Sequence, residues 1–405
     1  MIPFSPPRIT DEVVNAVTGV LRSGWITTGP KTKEFEKQIT EYCGSKSTIC
    51  LNSATAGLEI MLRWFGVTKG DEVIVPAYTY TATANVVNHC GAKVIFVDVN
   101  KDDFNISVEK IEKAITSRTK VIMPVDFAGF PCDYDAINEL VNRKDIRKKF
   151  KANSPEQKKL KRILVLSDSA HSIGAVYKGK KTGSLTDASV FSFHAVKNLI
   201  TAEGGAVCLN LPAPFDNEKI YKDLCIKSLH GQNKDALAKT SGVGGWRYDI
   251  IEAGYKCNMT DIAAVMGICE LKDYESDTLP RRKKICDTYS AALSKYDWAE
   301  IPVLRTGERE ASYHLFPLRI KGIKEAQRDE IIKNIFERGV SVNVHFMPVP
   351  MMSFYKKLGY KIKNYQNAYD NYSREISLPV YYNLTDEQVQ TVINAVVDSV
   401  QKVIG

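Results

Sequence analysis

From about residue 47 to residue 210, short apolar runs alternate with amphipathic segments. The runs are TICLNS, EVIVPA, KVIFVDV, VIMPVDF, ILVLSD, ASVFSF and AVCLN. They are rich in Val and Ile and nearly continuous in apolar character, as expected of strands buried on both faces of a mostly parallel sheet. Between them, segments such as TATANVVNHCG and SVEKIEKAITSRT space their apolar positions three and four apart, which is the helical period. Strand and helix in alternation predict a doubly wound α/β domain, a mostly parallel central sheet sandwiched by helices.

Past about residue 261 the pattern changes. DIAAVMGICELKDY and RRKKICDTYSAALSKY read as long helices, SYHLFPLRI as a strand, EAQRDEIIKNIFERG as a helix, VSVNVHF as a further strand and TDEQVQTVINAVVDSVQKVI as the last helix. The expected division is a large domain over 12–260, a smaller α+β domain over 261–405, and residues 1–11 as an N-terminal arm. A chain of 405 residues that is 44% hydrophobic and 25% charged has the length and composition for two such cores. No apolar stretch is long enough for a membrane helix, and MIPFSPPRIT has no export-signal pattern. A cytoplasmic protein is the expectation.

The net charge of +8 resides in one place. Residues 143–162 carry ten Lys or Arg against Asp145 and Glu156, leaving 45 basic and 45 acidic residues elsewhere. A general polyanion-binding surface, and with it a nucleic-acid partner, is not supported. The segment reads as a solvated insertion, an extended loop between a helix near 133–142 and the strand ILVLSD. The nine cysteines form no CxxC pair and no zinc spacing, so they read as reduced thiols and no metal is expected.

Open parallel sheets place ligands beyond the carboxyl ends of their strands. Three such ends carry unusual residues. TICLNS runs into ATAGLEIMLRWF, a helix opened by the small residues Ala54, Thr55 and Ala56, whose free backbone N–H groups suit a phosphate. ILVLSD ends in Asp168, a carboxylate directly after an apolar run. Lys197 stands between two buried strands, ASVFSF and AVCLN. In isolation each has a plain structural reading: a helix start, a cap and a surface lysine. Together they match one ligand, pyridoxal 5'-phosphate (PLP), with its phosphate, ring nitrogen and aldehyde.

SDSAHSIGA, GKKTGSLTDASVFSFHAVKN and AEGGAV resemble, in order and spacing, the core signature of the DegT/DnrJ/EryC1/StrS aminotransferases. SGWITTGP, NSATAGLEI, GDEVIVPAYTYTATAN, GYKCNMTDIAA and VNVHFMP extend the resemblance over nearly the whole chain. It implies a fold-type I PLP-dependent transferase that moves an amino group from L-glutamate to a nucleotide-linked keto-sugar, with pyridoxamine 5'-phosphate (PMP) as intermediate. The product would be an amino-sugar for surface polysaccharide or lipopolysaccharide. Carried over by position, Lys197 is the Schiff-base lysine and Asp168 the partner of the pyridine nitrogen. His171 lies beside the cofactor ring and Tyr80 stacks on it. Ala54, Thr55 and Ser192 meet the phosphate. Asn258 reaches the cofactor of a neighbouring subunit, implying a homodimer with shared active sites. Thr27, Thr28 and His345 border the substrate, and Lys31 and Arg247 are candidates for a diphosphate or a carboxylate.

Two departures stand out: the basic insertion, and Asn258 where many members have arginine. A subgroup resembling the aminotransferase of UDP-4-amino-4-deoxy-L-arabinose synthesis also has asparagine there, which favours amination at C4 over C3. Dehydratases of the family resemble this chain with histidine at the lysine position, so Lys197 argues against that chemistry. A non-catalytic PLP-binding regulator would need a DNA-binding module, for which the chain leaves no room ahead of the cofactor domain.

Overall fold

The computed structural model describes residues 1–233 and 248–405. The first part of the chain contains α1 (Asp11–Ser23), α2 (Pro30–Cys43), β1 (Ser47–Leu51), α3 (Ala54–Trp64), β2 (Glu72–Pro76), α4 (Thr81–His89), β3 (Lys93–Val97), α5 (Val108–Ala114) and β4 (Thr119–Ile122). There follow α6 (Tyr134–Asn142), α7 (Lys144–Lys149), α8 (Pro155–Leu160), β5 (Leu164–Asp168), β6 (Ala188–Ser192), β7 (Gly205–Leu209) and α9 (Asn217–Ser228). The rest contributes α10 (Asp261–Lys272), α11 (Leu279–Leu293), β8 (Phe316–Ile320), α12 (Glu325–Glu337), α13 (Gln366–Arg374), β9 (Glu375–Leu378) and α14 (Asp386–Ile404).

Seven strands form the central sheet in the order β1-β7-β6-β5-β4-β2-β3. Six run the same way and β7 opposes both its neighbours. Every residue of β1, β2, β4, β5, β6 and β7 is buried, which is why these strands read as continuous apolar runs. A second core, built on the antiparallel pair β8–β9, gathers apolar faces of α11, α12 and α14. Ile2 and Phe130 join this core. Helix α10 lies instead with α2, where Phe35, Ile39 and Ala264 share a cluster. Among the described residues no helix is long and apolar enough to cross a membrane.

Two expectations from the sequence are corrected. The basic segment is not an extended, solvated loop. It forms α7 and α8, with Ile146, Ser154, Gln157, Leu160 and Arg162 buried. Ser154 Oγ and Gln157 Nε2 both donate to the carbonyl of Phe65, at 2.9 and 3.0 Å, and Arg162 makes two 2.7 Å contacts to Asp187. The lysines face solvent while the intervening apolar and amide groups complete the domain. VSVNVHF is not a strand either. Val340 and Asn343 make single bridges, to Ile2 and Ser377, and the amide of His345 donates 3.0 Å to the Glu375 side chain rather than to a ladder carbonyl.

Candidate active site

At the carboxyl ends of β5 and β6, a cavity of about 340 Å³ opens between the central sheet and the second core. Its walls include Ala54, Thr55, Tyr80, Asp168, His171, Ser192, Lys197 and His345. Eight of the eleven site residues expected from the sequence therefore share one space. Thr27, Thr28 and Asn258 do not line it. They form a separate cluster, in which Asn258 Nδ2 donates 2.6 Å to Thr28 Oγ, which donates 2.5 Å to the carbonyl of Met259; the carbonyl of Thr27 accepts from the Asp261 amide. The side chain of Lys31 pairs with Glu34 at 2.7 Å. Arg247 lies outside the described residues.

The start of α3 is shaped by its cap and by a neighbouring glycine. Ser53 is extended and accepts from the Ala56 amide, while first-turn amides of a helix have no intrahelical acceptor, so those of Ala54 and Thr55 are available to an anion. At Gly205 a Cβ would stand 2.4 Å from the nitrogen of Ala54, so only glycine lets β7 approach this helix end. Ser192, the last residue of β6, adds its hydroxyl to the same wall.

Asp168 closes β5, its backbone amide donating 2.9 Å to Pro124. Its carboxylate accepts from Thr83 Oγ at 2.8 Å and from the Ala170 amide at 3.3 Å. Thr79 donates to Thr83 in turn, at 2.8 Å. Burial pushes the carboxyl upward, opposed by the Thr83 hydrogen bond, the Ala170 amide and the charge of Lys197. A cationic ring nitrogen placed here would restore the ionised form.

Lys197 sits in the connection from β6 to β7, in a turn closed by its own amide to the carbonyl of His194 at 2.8 Å. Its neighbour Asn198 pins the turn, donating 2.7 Å to Ser312 and facing His314 Nδ1 at 2.9 Å. Burial lowers the lysine to about 8, with Asp168 pulling the other way. An amine in that range is neutral often enough to act as nucleophile and base.

The rings of His171 and His314 lie with centroids 4.3 Å apart and planes tilted by 46°, and burial drives both far below the usual histidine range. His171 Nδ1 is buried without a hydrogen-bond partner among the described residues. Tyr80 is 62% exposed, with Phe346 as its aromatic neighbour at 5.9 Å. Sequence reasoning missed Thr83, His314, Phe346 and Phe4. Thr83 had a signal, standing one helical turn after Tyr80 in TYTATAN. Phe346 had one too, standing next to His345 in VNVHFMP, whereas Phe4 and His314 carried none.

A helix end with free amides, an isolated carboxylate and a lysine without an ion-pair partner among the described residues make a donor set that fits PLP. The comparisons agree. The model of the DegT/DnrJ/EryC1/StrS aminotransferase family matches residues 7–148 and 156–397, the break falling within the basic segment. The proposed sugar aminotransferase Spr1654 from Streptococcus pneumoniae, solved in its PMP form, superposes with a TM-score of 0.96 at 46% identity, covering all of both chains. Its PLP form gives 0.94 at 44%. The uncharacterized protein MJ1066 of Methanocaldococcus jannaschii is 41% identical over 98% of this chain and 96% of its own. The spore coat polysaccharide biosynthesis protein SpsC of Bacillus subtilis is 36% identical over 99% and 97%.

Proposed function

The chain belongs to the DegT/DnrJ/EryC1/StrS aminotransferase family, and from that premise we propose that it moves an amino group from L-glutamate to C4 of a nucleotide-linked 4-keto-sugar. It is a PLP-dependent sugar aminotransferase; the donor, the nucleotide linkage and the ring position are our reading. The amino-sugar product would enter a surface polysaccharide or lipopolysaccharide, in line with the role that the name of SpsC states for that relative.

The observation that carries the assignment is the meeting of Lys197, Asp168 and the start of α3 around one cavity. PLP, when bound, supplies the electron sink that lets a C–H bond next to nitrogen break. The amides of Ala54 and Thr55 with the Ser192 hydroxyl would hold its phosphate, Asp168 its ring nitrogen, Lys197 its aldehyde carbon, and Tyr80 and His171 its ring. Lys197 Nζ takes the proton from the amine-bearing carbon of the donor and delivers one to the former carbonyl carbon that bears the amino group of the product. Asp168, oriented by Thr83 and shielded from water, keeps a negative charge opposite the ring nitrogen throughout. His345 and the exposed Tyr80 line the part of the cavity left for the sugar.

Asn258 and Thr28, outside the cavity of their own chain, are proposed to complete the site of a second copy. Ile26 and Tyr255, close to them in sequence, are exposed apolar side chains that an interface would cover. The test is a panel of UDP-, dTDP- and GDP-linked 3- and 4-keto-sugars with L-glutamate, products resolved by mass and NMR. One 4-keto-sugar should be aminated, and Lys197→Ala should abolish turnover while the protein stays folded. Wild-type turnover in Lys197→Ala would end the assignment.

A further inference from the structure

Behind His345, two buried side chains run from the cavity wall into the second core. His345 Nδ1 lies 2.9 Å from Ser377 Oγ, and Ser377 Oγ lies 2.5 Å from Glu375 Oε1. The other carboxyl oxygen, Oε2, accepts from the His345 amide at 3.0 Å, so the carboxyl grips the same residue twice, once through Ser377 and once directly. Glu375 and Ser377 are fully buried. His345 lines the cavity, and with Nδ1 engaged inward its Nε2 is the nitrogen left for a bound molecule.

A buried structural carboxylate ordinarily pairs with a cation. Among the described residues Glu375 has no such ion pair. Arg328 from α12 spends its Nη1 on the carbonyls of Tyr372 and Glu375 and its Nε on Asp329. Arg319 from β8 turns to Glu300, Asn371 and the carbonyls of Lys101 and Asp102. Tyr78, after β2, donates 2.5 Å to the carbonyl of His345 and leaves the carboxyl alone. On the cavity side, His345 shares the lining with Lys197, His171 and His314.

Building on the aminotransferase reading above, we infer that His345, Ser377 and Glu375 form a proton relay that takes one proton from the ammonium group of the incoming amino donor and returns it to the amine product. With Glu375 ionised, Ser377 donates to Glu375 and His345 Nδ1–H donates to Ser377, which leaves Nε2 as an open lone pair. The substrate N–H bond breaks and an Nε2–H bond forms. The Nδ1 proton passes to Ser377 Oγ, and the Ser377 proton passes to Glu375 Oε1. One proton has left the ammonium and one has reached the carboxylate; histidine and serine end neutral. The same steps in reverse release a proton into the cavity. Burial and the charge of Lys197 hold His345 down to about 3, so the ring conducts a proton without storing it. Burial lifts Glu375 to about 8, against its hydrogen bonds to Ser377 and the His345 amide and the charges of Arg328 and Arg319, which makes the carboxyl the storage end.

The test uses the full-length enzyme loaded with PLP and mixed with excess L-glutamate, following the cofactor absorbance in a single turnover between pH 6 and 9. In the wild type the rate should rise with pH as Glu375 ionises through about 8. Glu375→Gln keeps the size and the hydrogen bond accepted from the His345 amide, turns an NH2 donor toward Ser377 and takes no proton, and Ser377→Ala cuts the chain at its middle. Each should slow the half-reaction by about tenfold to a hundredfold and flatten the pH limb, in a protein that stays folded at the assay temperature and keeps its PLP absorbance. A wild-type rate and pH profile in a folded Glu375→Gln or Ser377→Ala protein would overturn the relay. A wild-type enzyme that reacts with no amino acid donor would overturn the functional reading, and the relay with it.

Discussion

Lys197 shows how much of this site rests on desolvation. A lysine in water would need a pH near its ordinary value of 10.5 to be half neutral, whereas burial brings Lys197 to about 8. Since the neutral amine is the form that captures an aldehyde, the cofactor-free protein should bind PLP at a rate that climbs with pH through about 8 and levels off above about 9. Stopped-flow absorbance measures it. A rate still rising steeply at pH 10 would place the lysine in a solvated setting. Asp168 and Lys197 were legible in the sequence, because a charged residue at the end of an apolar run or between two buried strands is conspicuous, while Ser192 came only from the family resemblance. Glu375 and Ser377 were not legible. They sit in EISLPV, a segment the sequence pattern did not single out, and only the packing of β9 against the 340–346 segment turns them toward a histidine.

The same contrast holds for elements. Strands and helices of the central domain follow from apolar period alone, since both faces of the sheet are covered. The basic segment was misread because its count of charges masked the spacing of Ile146, Gln157 and Leu160, the residues that dock it. Arg162 ends that segment and pairs with Asp187, which also accepts from the Val165 amide on β5 at 3.0 Å. Arg162→Ala would leave a buried carboxylate uncompensated beside the strand that ends in Asp168. Its removal should cost about 3 kcal/mol of unfolding free energy, read from urea or guanidinium titration. Replacing solvent-facing Lys148 or Lys149 in the same segment should change stability by less than about 0.5 kcal/mol.

For the assembled protein, the separation of Thr28 and Asn258 from the cavity is the informative fact. If a second copy brings them to the site, an Asn258→Ala protein and a Lys197→Ala protein, each impaired alone, should regain activity when co-expressed or unfolded and refolded together. Mixed dimers would hold one site with both residues intact. Activity no higher than the sum of the separate variants would show that each chain works within its own cavity. Sedimentation at several protein concentrations provides the companion measurement of association.

Alternation of buried strands with amphipathic helices, and the chemistry of a few residues at strand ends, were written in the chain because both depend on local order: period along the backbone and position at an element's end. The long-range juxtapositions were not. Thr83 against Asp168, His314 against His171, Phe4 stacked on His345 at 5.4 Å, and the Glu375–Ser377–His345 line each join segments whose separation in sequence bears no relation to their distance in space. The Thr83–Asp168 pair forms within the central domain and the others where the second core and the N-terminal arm pack beside it, and both are set by packing.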